Sequence, residues 1–346
     1  MTVRLSVLDL SPVSGEGTQA EAVRDSLEVA AAADRLGYHR IWFAEHHSIA
    51  TLSSASPEIL IAAATQRTRR IRLGSGGVML PNYSPLKVAE TFMELEALAP
   101  GRIDLGVGRA LGADARTGAA LRSQSSEVFP QYFALLNAWL LDAAGKEPFP
   151  PHHPAAGVRA SPAGPSHPAL FMLTSSVESS VFAARVGVGM VFSEFIARTD
   201  AGPAIAAYRQ AFEPSPFAAE PFAGAGLIAF AADSAAEAER LDAPRRAASL
   251  AMFTGERQRF TSLEAAQAYL DRFKGDPRLD AVIARSIAGD GPTVRGVLAD
   301  KARAAGADEL FVMAVGPTLA DRVRSLELIA GPVAGEARLP DAESAV

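Results

Sequence analysis

The segment Trp42–His47 reads WFAEHH and ends an apolar stretch with one carboxylate and two histidines. Successive side chains at the end of a strand point to opposite sides, so one histidine should face a binding site. We favour His46 for that position and keep His47 as the second candidate. An imidazole there can transfer protons near neutral pH. The alternatives are a structural histidine bonded to the backbone, or a zinc ligand. A zinc site needs a third ligand, and the other clustered histidines, His152 and His153, lie in a proline-rich segment.

A run of glycines, Gly74–Gly77 with Ser75 inside it, ends the next apolar segment. Glycine lets a flat ligand approach the backbone closely, and it tolerates unusual backbone geometry at binding sites. The run therefore indicates a surface for a planar ligand, with an ordinary tight turn as the alternative.

Two further segment ends carry groups that suit an anion. Arg109 follows Gly106–Gly108, and a guanidinium can hold phosphate through two hydrogen bonds. Thr174–Ser176, with Ser179, opens a helix that runs to Val186, and free amides and hydroxyls at a helix start bind anions. Helix capping alone is the alternative. Together the two segments predict a phosphate site.

Strand-like segments alternate with amphipathic helices, and Ser-Pro pairs mark two helix starts. This alternation predicts a parallel sheet whose carboxyl-terminal strand ends meet on one face. Eight strands followed by a last helix predict an α/β protein of the (β/α)8 TIM-barrel class, with insertions after strand four and before strand eight. The predicted strands are Leu5–Leu10, Ile41–Ala44, Ile71–Gly76, Ile103–Val107, Leu170–Leu173, Met190–Phe192, Leu227–Ala232 and Glu309–Ala314.

The region after strand four is less regular. Gly112–Gln124 is small and polar and is predicted to be a loop, and Pro148–Pro168 is predicted to be an irregular crossing or lid. We predict one domain over residues 1–334 and a mobile tail over 335–346. The predicted helices are Gln19–Leu36, Glu58–Gln66, Leu86–Leu98, Val128–Asp142, Pro203–Phe212, Ser234–Leu250, Ser262–Phe273, Thr293–Ala305 and Leu319–Ile329.

The composition of the 346 residues is that of a globular protein, with 49% hydrophobic and 21% charged residues. A net charge of −6 argues against a nucleic-acid surface, and the lack of cysteine excludes disulfides, thiolate metal sites and cysteine nucleophiles. The chain starts on a strand without an apolar signal segment, and no apolar run is long enough to span a bilayer. These features predict a cytoplasmic protein with no membrane partner.

The motifs, in this order, resemble the bacterial luciferase-like flavin-dependent monooxygenase family, and within it the small single-component relatives whose substrates are mostly unassigned. The resemblance extends from about Leu5 to Ala330 and is weakest in the middle. It is carried by the segments LSVLDLSPVSG, LGYHRIWFAEHH, SSASPE, RIRLGSGGVMLPNYSPLKVAE, LEALAPGRIDLGVGRALG, SSVESSVFAARVGVG and ADELFVM.

The resemblance implies a TIM barrel, usually dimeric, that takes reduced FMN from a separate flavin reductase. Reduced FMN and O2 then give a C4a-peroxyflavin, which oxidises an organic substrate, an aldehyde in the luciferases. By resemblance, His46 is the active-site histidine, and Gly76 and Gly77 form a non-prolyl cis peptide under the flavin ring. The residues that match the flavin phosphate site or pack beside it are Arg109, Leu111, Ser175, Ser176 and Ser179.

The sequence departs from close relatives at two positions. Thr174 stands where they usually have glycine, and its side chain could crowd the phosphate loop. Glu194 stands where they usually have histidine, and it would bring a carboxylate near the pocket. Asp9, at the end of strand one, could also face the pocket or be structural.

The implied flavin chemistry must be shielded from water. Long loops after Gly112 and before Pro168 could supply a lid. Apolar residues that could line a dry pocket, with core packing as their alternative role, are Phe43, Val78, Met79, Phe192 and Phe195.

Two other functions stay open at this stage. The first is hydride transfer with the deazaflavin F420, which also carries a phosphate after its ribityl chain. Lys87 and Arg116 are the candidates for holding its glutamate tail. The second is a non-catalytic protein that stores or senses flavin.

Overall fold

Ten parallel-paired strands form the centre of the computed structural model, which describes residues 3–256 and 258–331. Apolar and β-branched residues dominate most of these segments, as a sheet covered on both faces requires. The strands are β1 (Arg4–Asp9), β2 (Arg40–Phe43), β3 (Arg72–Ser75), β4 (Val78–Met79), β5 (Ile103–Gly108), β6 (Ala169–Thr174), β7 (Gly189–Ser193), β8 (Ala223–Ala232), β9 (Ser286–Asp290) and β10 (Glu309–Met313).

Eight of these strands close into a barrel in the order β1, β2, β3, β5, β6, β7, β8 and β10. Leu310 of β10 pairs with Leu5 of β1 on one side and with Ala225 of β8 on the other, which completes the ring. The short strand β4 pairs with the end of β5, and β9 pairs with the outer half of β8. The predicted (β/α)8 barrel is therefore confirmed.

Helices surround the barrel, and most begin with a side chain that caps the first amides. Thr18 and Glu21 form a capping box at the first helix, and prolines occupy the first turn of several others. The helices are α1 (Gln19–Arg35), α2 (Pro57–Thr65), α3 (Pro85–Leu98), α4 (Ala115–Leu121), α5 (Phe129–Ala143), α6 (Val177–Arg185), α7 (Glu194–Ala197), α8 (Gly202–Ala211), α9 (Ala235–Phe253), α10 (Leu263–Asp271), α11 (Pro277–Ile283), α12 (Gly291–Ala305) and α13 (Leu319–Ala330).

Both predicted insertions are present. After β5 the chain forms α4 and α5 and then crosses irregularly to β6. After β8 it forms α9, α10, α11 and β9 before it returns through α12 to β10. This second insertion has an apolar core of its own, made by Leu250, Phe260, Tyr269, Leu270 and Val282 among others.

The structure corrects the sequence-based prediction in several places. The predicted loop at Gly112–Gln124 contains α4, because the Asp114 side chain caps the Thr117 amide and starts a helix that has no apolar stripe. Strand β8 begins at Ala223, four residues before its predicted start. Its opening Ala-Gly pairs have a composition that is unusual for a strand. Packing explains the glycine, because a β-carbon on Gly224 would lie 3.0 Å from the Phe311 ring. The elements β4, β9, α7 and α11 were not predicted.

Within residues 3–256 and 258–331, no helix is long and apolar enough to cross a membrane. The mobile tail predicted for residues 335–346 lies outside the described residues. The single domain predicted over residues 1–334 stays a prediction.

Candidate active site at the mouth of the barrel

Strand β2 delivers its side chains alternately to the barrel interior and to the surrounding helices. Trp42 and Ala44 pack inside the barrel with Phe171 and Phe311, and the Trp42 and Phe311 ring centroids lie 4.4 Å apart. Ile41 and Phe43 pack in the separate core between strands and helices. The strand therefore ends with a regular alternation that directs the following residues to different sides.

His46 lies at the mouth of the barrel, by which we mean the face formed by the carboxyl-terminal strand ends and the loops that follow them. Its backbone N–H donates to the Ser54 carbonyl at 2.8 Å, which fixes this loop. The side chain is half-buried and borders a cavity of about 580 Å³ between α1 and residues 48–55. His46 thus has access to a space that could hold a small molecule.

The His46 imidazole has no hydrogen-bond partner at its buried Nδ1 atom among the described residues. Burial lowers the pKa of His46 below its ordinary value of 6.5, and the nearby His47 lowers it further. The ring is therefore neutral at pH 7 and can accept a proton. A buried nitrogen left unpaired costs free energy, so a bound ligand or water that pairs with it would be stabilised.

His47 is placed differently. Its Nε2 atom lies 2.8 Å from Oε1 of Glu45, so its ring is held by a buried carboxylate. Its backbone N–H donates to the Gly112 carbonyl at 3.0 Å, which ties the end of β2 to the loop after β5. The structure therefore separates the two histidines: His47 is held by Glu45, and the His46 side chain has no such partner among the described residues.

The peptide bond between Gly76 and Gly77 is cis, as the resemblance implied. Both residues are buried, and packing of the barrel alone accounts for their lack of side chains. A β-carbon on Gly76 would lie 2.6 Å from Leu8 Cδ1, and one on Gly77 would lie 2.8 Å from the Gly106 carbonyl oxygen. Contact of these glycines with a flavin ring stays a prediction.

Strands β5 and β6 bring the predicted phosphate residues together. Val107 pairs with Met172, so Arg109 and Thr174, each two residues further on, lie at the same end of neighbouring strands. Arg109 is exposed and has no ion-pair or hydrogen-bond partner in the described part of the chain. A free guanidinium beside a helix amino terminus is a suitable arrangement for an anion.

The serines at the start of α6 have two roles. Ser176 caps the helix by accepting from the Ser179 amide at 3.2 Å, and the Ser176 amide donates to Ser179 Oγ at 3.3 Å. Ser175 is exposed and its hydroxyl makes no contact of this kind among the described residues. The capping alternative thus holds for Ser176 and Ser179, and Ser175 together with the first free amides of α6 remains available to a ligand.

Leu111 contributes through its backbone. Its carbonyl accepts from Asn82 Nδ2 at 3.1 Å, and its side chain is half-buried against α4 near Gly118. Its predicted packing beside a phosphate stays a prediction.

The two departures from the family pattern have local explanations. The Thr174 side chain is buried and accepts from Ser180 Oγ at 3.0 Å, so it points into the helix start and leaves the loop open. Glu194 begins α7, where it accepts from the Ala201 amide at 2.9 Å and pairs with Lys301 at 3.1 Å. Its charge is therefore compensated locally.

Asp9 is structural. It is fully buried, accepts from the Ser11 amide at 2.6 Å and forms an ion pair with Arg322 at 2.8 Å. The pair joins the ends of β1 and α13 and holds the loop after β1 in place. A direct contact between Asp9 and a ligand would require this pair to break.

The apolar lining of the mouth differs from the predicted set. Phe43, Val78 and Phe192 belong to the core between strands and helices, and of the predicted residues Phe195 lies on the barrel side. Sequence reasoning did not separate these side chains from the core, because most of them lie within the predicted strands and the pattern alone does not show which face of the sheet lines the mouth. The partly buried apolar residues at this end of the barrel interior are Leu10, Leu173, Phe195, Ile228 and Val315.

The group that sequence reasoning most clearly overlooked is a set of contacts around Glu45. This carboxylate is fully buried, and it accepts from the Met79 amide at 2.9 Å and from Tyr83 OH at 2.9 Å. Burial raises the pKa of Tyr83, as does the adjacent Glu45, so the phenol stays protonated and donates. The only signal in the sequence was a carboxylate placed directly before two histidines.

These residues suit a planar cofactor with a phosphate-bearing tail. The mouth offers an unpartnered imidazole, an apolar rim, a free guanidinium and a helix start, and these lie at the same end of the barrel. In the described residues no group of three or more His, Asp or Glu side chains is arranged to hold a metal ion.

Comparison with known proteins identifies the family. The family model for luciferase-like monooxygenases matches residues 3–309. A luciferase-like monooxygenase of Escherichia coli strain K12 is 36% identical, covering 90% of this chain and 91% of that protein. An N-acetyl-S-alkylcysteine monooxygenase of Bacillus subtilis is 36% identical, covering 78% of this chain and 80% of that protein.

A solved structure agrees with these matches over almost the whole chain. The crystal structure of apo-MsnO8 has a TM-score of 0.84 and 37% identity, covering 95% of this chain and 97% of that one. The chain therefore belongs to the luciferase-like monooxygenase family.

Proposed function

We propose that this protein is a flavin-dependent monooxygenase that uses reduced FMN and O2 to oxidise a small organic substrate, an aldehyde or another carbonyl compound. The observation that carries the proposal is the arrangement of the mouth. His46, neutral and unpartnered at Nδ1, stands at the same end of the barrel as Arg109 and the start of α6. Membership of a monooxygenase family supports the same reaction class.

In this proposal the residues after β5 and β6 hold the cofactor phosphate. Arg109 contributes charge, and Ser175 and the first amides of α6 donate hydrogen bonds. Ser176 and Ser179 keep that helix start rigid through their reciprocal bonds. Leu111 packs beside the phosphate, and Gly76 and Gly77 lie under the ring.

When bound, the reduced flavin supplies two electrons to O2, so that one oxygen atom enters the substrate and the other leaves as water. The chain contributes position, exclusion of water and proton management. The apolar rim of Leu10, Leu173, Phe195, Ile228 and Val315 keeps the reacting groups dry. His46 accepts or returns a proton at its free ring nitrogen. A separate flavin reductase, a homodimeric assembly and a cytoplasmic location are further parts of the proposal.

The test is an anaerobic titration with reduced FMN and, in parallel, with reduced F420, followed by a pulse of oxygen. We expect binding of reduced FMN, tighter than that of oxidised FMN, and rapid oxygen uptake by the complex. Tight binding of F420 without reaction with oxygen would assign the protein to hydride transfer, with the exposed Lys87 and Arg116 as tail contacts. Binding of flavin without oxygen-dependent product from any carbonyl compound would favour a storage or sensing role.

A further inference from the structure

We propose that Glu45 is a positioning residue that fixes two segments of the cofactor site relative to each other. The ring-side segment is residues 79–83, and the phosphate-side segment is the loop at residues 109–113. The inference rests on the proposed function, because it assigns Glu45 a role in binding the same reduced flavin. Glu45 itself is fully buried and lies away from the cavity beside His46. Its effect on a ligand must therefore pass through the residues that it holds.

Four donors converge on the Glu45 carboxylate. Oε1 accepts from His47 Nε2 at 2.8 Å, from Tyr83 OH at 2.9 Å and from Asn82 Nδ2 at 3.2 Å. Oε2 accepts from the Met79 amide at 2.9 Å. Three of the donors belong to residues 79–83, the segment that directly follows the cis peptide. The carboxylate thus fastens the ring-side segment to the end of β2.

Asn82 extends the connection to the phosphate side. Its Nδ2 donates to the Leu111 carbonyl at 3.1 Å as well as to Glu45, and its Oδ1 accepts from Ser123 Oγ at 2.6 Å. Leu111 is two residues from Arg109, and Ser123 follows α4. One amide side chain therefore links Glu45 to the loop that carries the phosphate-binding guanidinium.

The donor set explains why this position needs a carboxylate. An ionised carboxylate is an acceptor only, and two oxygens can take four donors. A glutamine amide would point its own N–H groups at the Met79 amide or at the cluster of three donors. In the described part of the chain no lysine or arginine lies within 4 Å of Glu45, so these donors alone compensate its charge. Loss of that charge should loosen all of the attached segments.

The first arm of the experiment measures mobility without a cofactor. Hydrogen exchange of the full-length protein is compared for wild type and Glu45→Gln, at residues 79–83 and 109–113. We expect at least tenfold faster exchange in the variant at both segments. Glu96→Gln is the matched control, because Glu96 is also buried and accepts from the Gly101 amide at 2.9 Å, away from the mouth.

The second arm measures anaerobic binding of reduced FMN and of reduced riboflavin, which lacks the phosphate. Glu45→Gln should weaken both ligands at least tenfold. Asn82→Ala keeps the carboxylate but cuts the link to Leu111, so it should lower the preference for FMN over riboflavin at least threefold. A purely structural role for Asn82 would change the affinities for FMN and riboflavin equally. That result would overturn the proposed connection from Glu45 through Asn82 to the phosphate side.

The two arms separate the failure of this inference from the failure of the proposed function. If the wild type binds no reduced flavin, the function is wrong, and the exchange arm still decides whether Glu45 fixes both segments. Unchanged exchange and affinity in a folded Glu45→Gln would overturn the inference. If Glu45→Gln does not fold, hydrogen exchange and flavin affinity are measured on Asn82→Ala. Unchanged exchange at residues 109–113 together with unchanged affinity would then overturn the inference.

Discussion

At the amino-terminal end of the barrel, Arg40 donates to Asp104 at 2.8 Å and to Glu309 at 3.0 Å, whereas at the mouth His46 Nδ1 has no partner among the described residues. The basal contacts extend further, and we call the whole set the basal network. Its members, all on or next to the first residues of the strands, are Ser6, His39, Arg40, Trp42, Arg72, Asp104 and Glu309.

The basal network is complete within the folded chain. Asp104 and Glu309 are fully buried, and each accepts at least three hydrogen bonds. Burial alone would raise the pKa of Glu309, but the hydrogen bond from His39 and the charge of Arg40 hold it below its ordinary value. Gly74 is required here, because its β-carbon would lie 2.6 Å from the indole nitrogen of Trp42.

The mouth leaves polar atoms free. Within the described residues, five of the eight buried side-chain polar atoms without partners belong to residues at this end, and none belongs to the basal network. A buried polar atom without a partner costs about 1–3 kcal/mol. One barrel thus holds a basal region whose polar groups are paired within the chain and a mouth where several buried polar atoms have no partner among the described residues. The five residues are Ser14, His46, Ser53, Arg259 and Arg322.

The largest loss of stability is expected at Asp104 in the basal network. Asp104→Asn leaves Arg40 and Arg72 without their shared counter-ion, and breaking a buried ion pair costs about 3–5 kcal/mol. We expect that loss in the free energy of unfolding by urea, with cofactor affinity of the folded fraction unchanged. Asp300→Asn removes an exposed pair with Arg303 and should change stability by less than about 0.5 kcal/mol. Equal effects of the two substitutions would show that the basal network contributes no more to stability than an exposed ion pair.

His46→Ala tests the opposite end. The imidazole has no partner to lose, so stability and affinity for reduced flavin should be nearly unchanged. Turnover should fall about 10²–10⁴-fold, the range for loss of a group that transfers a proton. The measurement is kcat with flavin affinity determined separately, and the exposed His152→Ala is the control. Unchanged turnover would remove His46 from the mechanism.

Arg109→Ala should act on binding alone. Arg109 is exposed and unpaired, so its loss should not alter stability, but it should weaken reduced FMN by about 2 kcal/mol, the scale of a charge-assisted contact. Affinity for reduced riboflavin should stay the same. Arg185→Ala, at the other end of α6, is the matched control. If FMN affinity does not change, the phosphate lies elsewhere.

The barrel and the position of His46 could be predicted from local patterns. Strand and helix periodicity is visible in short apolar segments, and the alternation at Trp42–His47 predicted that only one of the two histidines faces the site. Of the strands that were missed or shortened, β9 and the start of β8 are rich in Ala, Gly and Ser, whose strand state depends on neighbours such as Phe311, and β4 is only two residues long.

The Glu45 contacts could not be predicted, because they join residues 34 to 38 positions apart and depend on how three loops meet. The glycine run was predicted to allow unusual backbone geometry and close approach of a ligand, but the packing of the barrel is a further reason for these glycines. Its glycines are already required by the packing of Leu8, Trp42 and Gly106, contacts that no single segment reveals.

The stability of the protein should depend on pH through His46. Because burial and His47 lower the pKa of His46, the unfolded chain takes up a proton first as the pH falls. His46 therefore causes no pH dependence of the unfolding free energy above pH 6.5. Below that pH, stability declines as the pH falls from 6.5 through the pKa of His46 in the folded state. The measurement is the unfolding free energy of wild type and His46→Gln from pH 8 to about 5. A difference that grows at or above pH 7 would contradict the lowered pKa.

Thr174 gives the smallest expected effect and tests whether the phosphate loop is free of its side chain. Thr174→Gly removes the acceptor for Ser180 Oγ and adds backbone freedom, so we expect a stability loss of about 1 kcal/mol. The cap at the start of α6 is formed by Ser176 and Ser179 and does not include Thr174, so it survives the substitution. Affinity for reduced FMN should therefore stay within about twofold, a difference well under 1 kcal/mol, and Thr174→Ser should match the wild type in both measurements. A gain in FMN affinity in the glycine variant alone would show that Thr174 crowds the ligand, and that the mouth is less open than its free donors indicate.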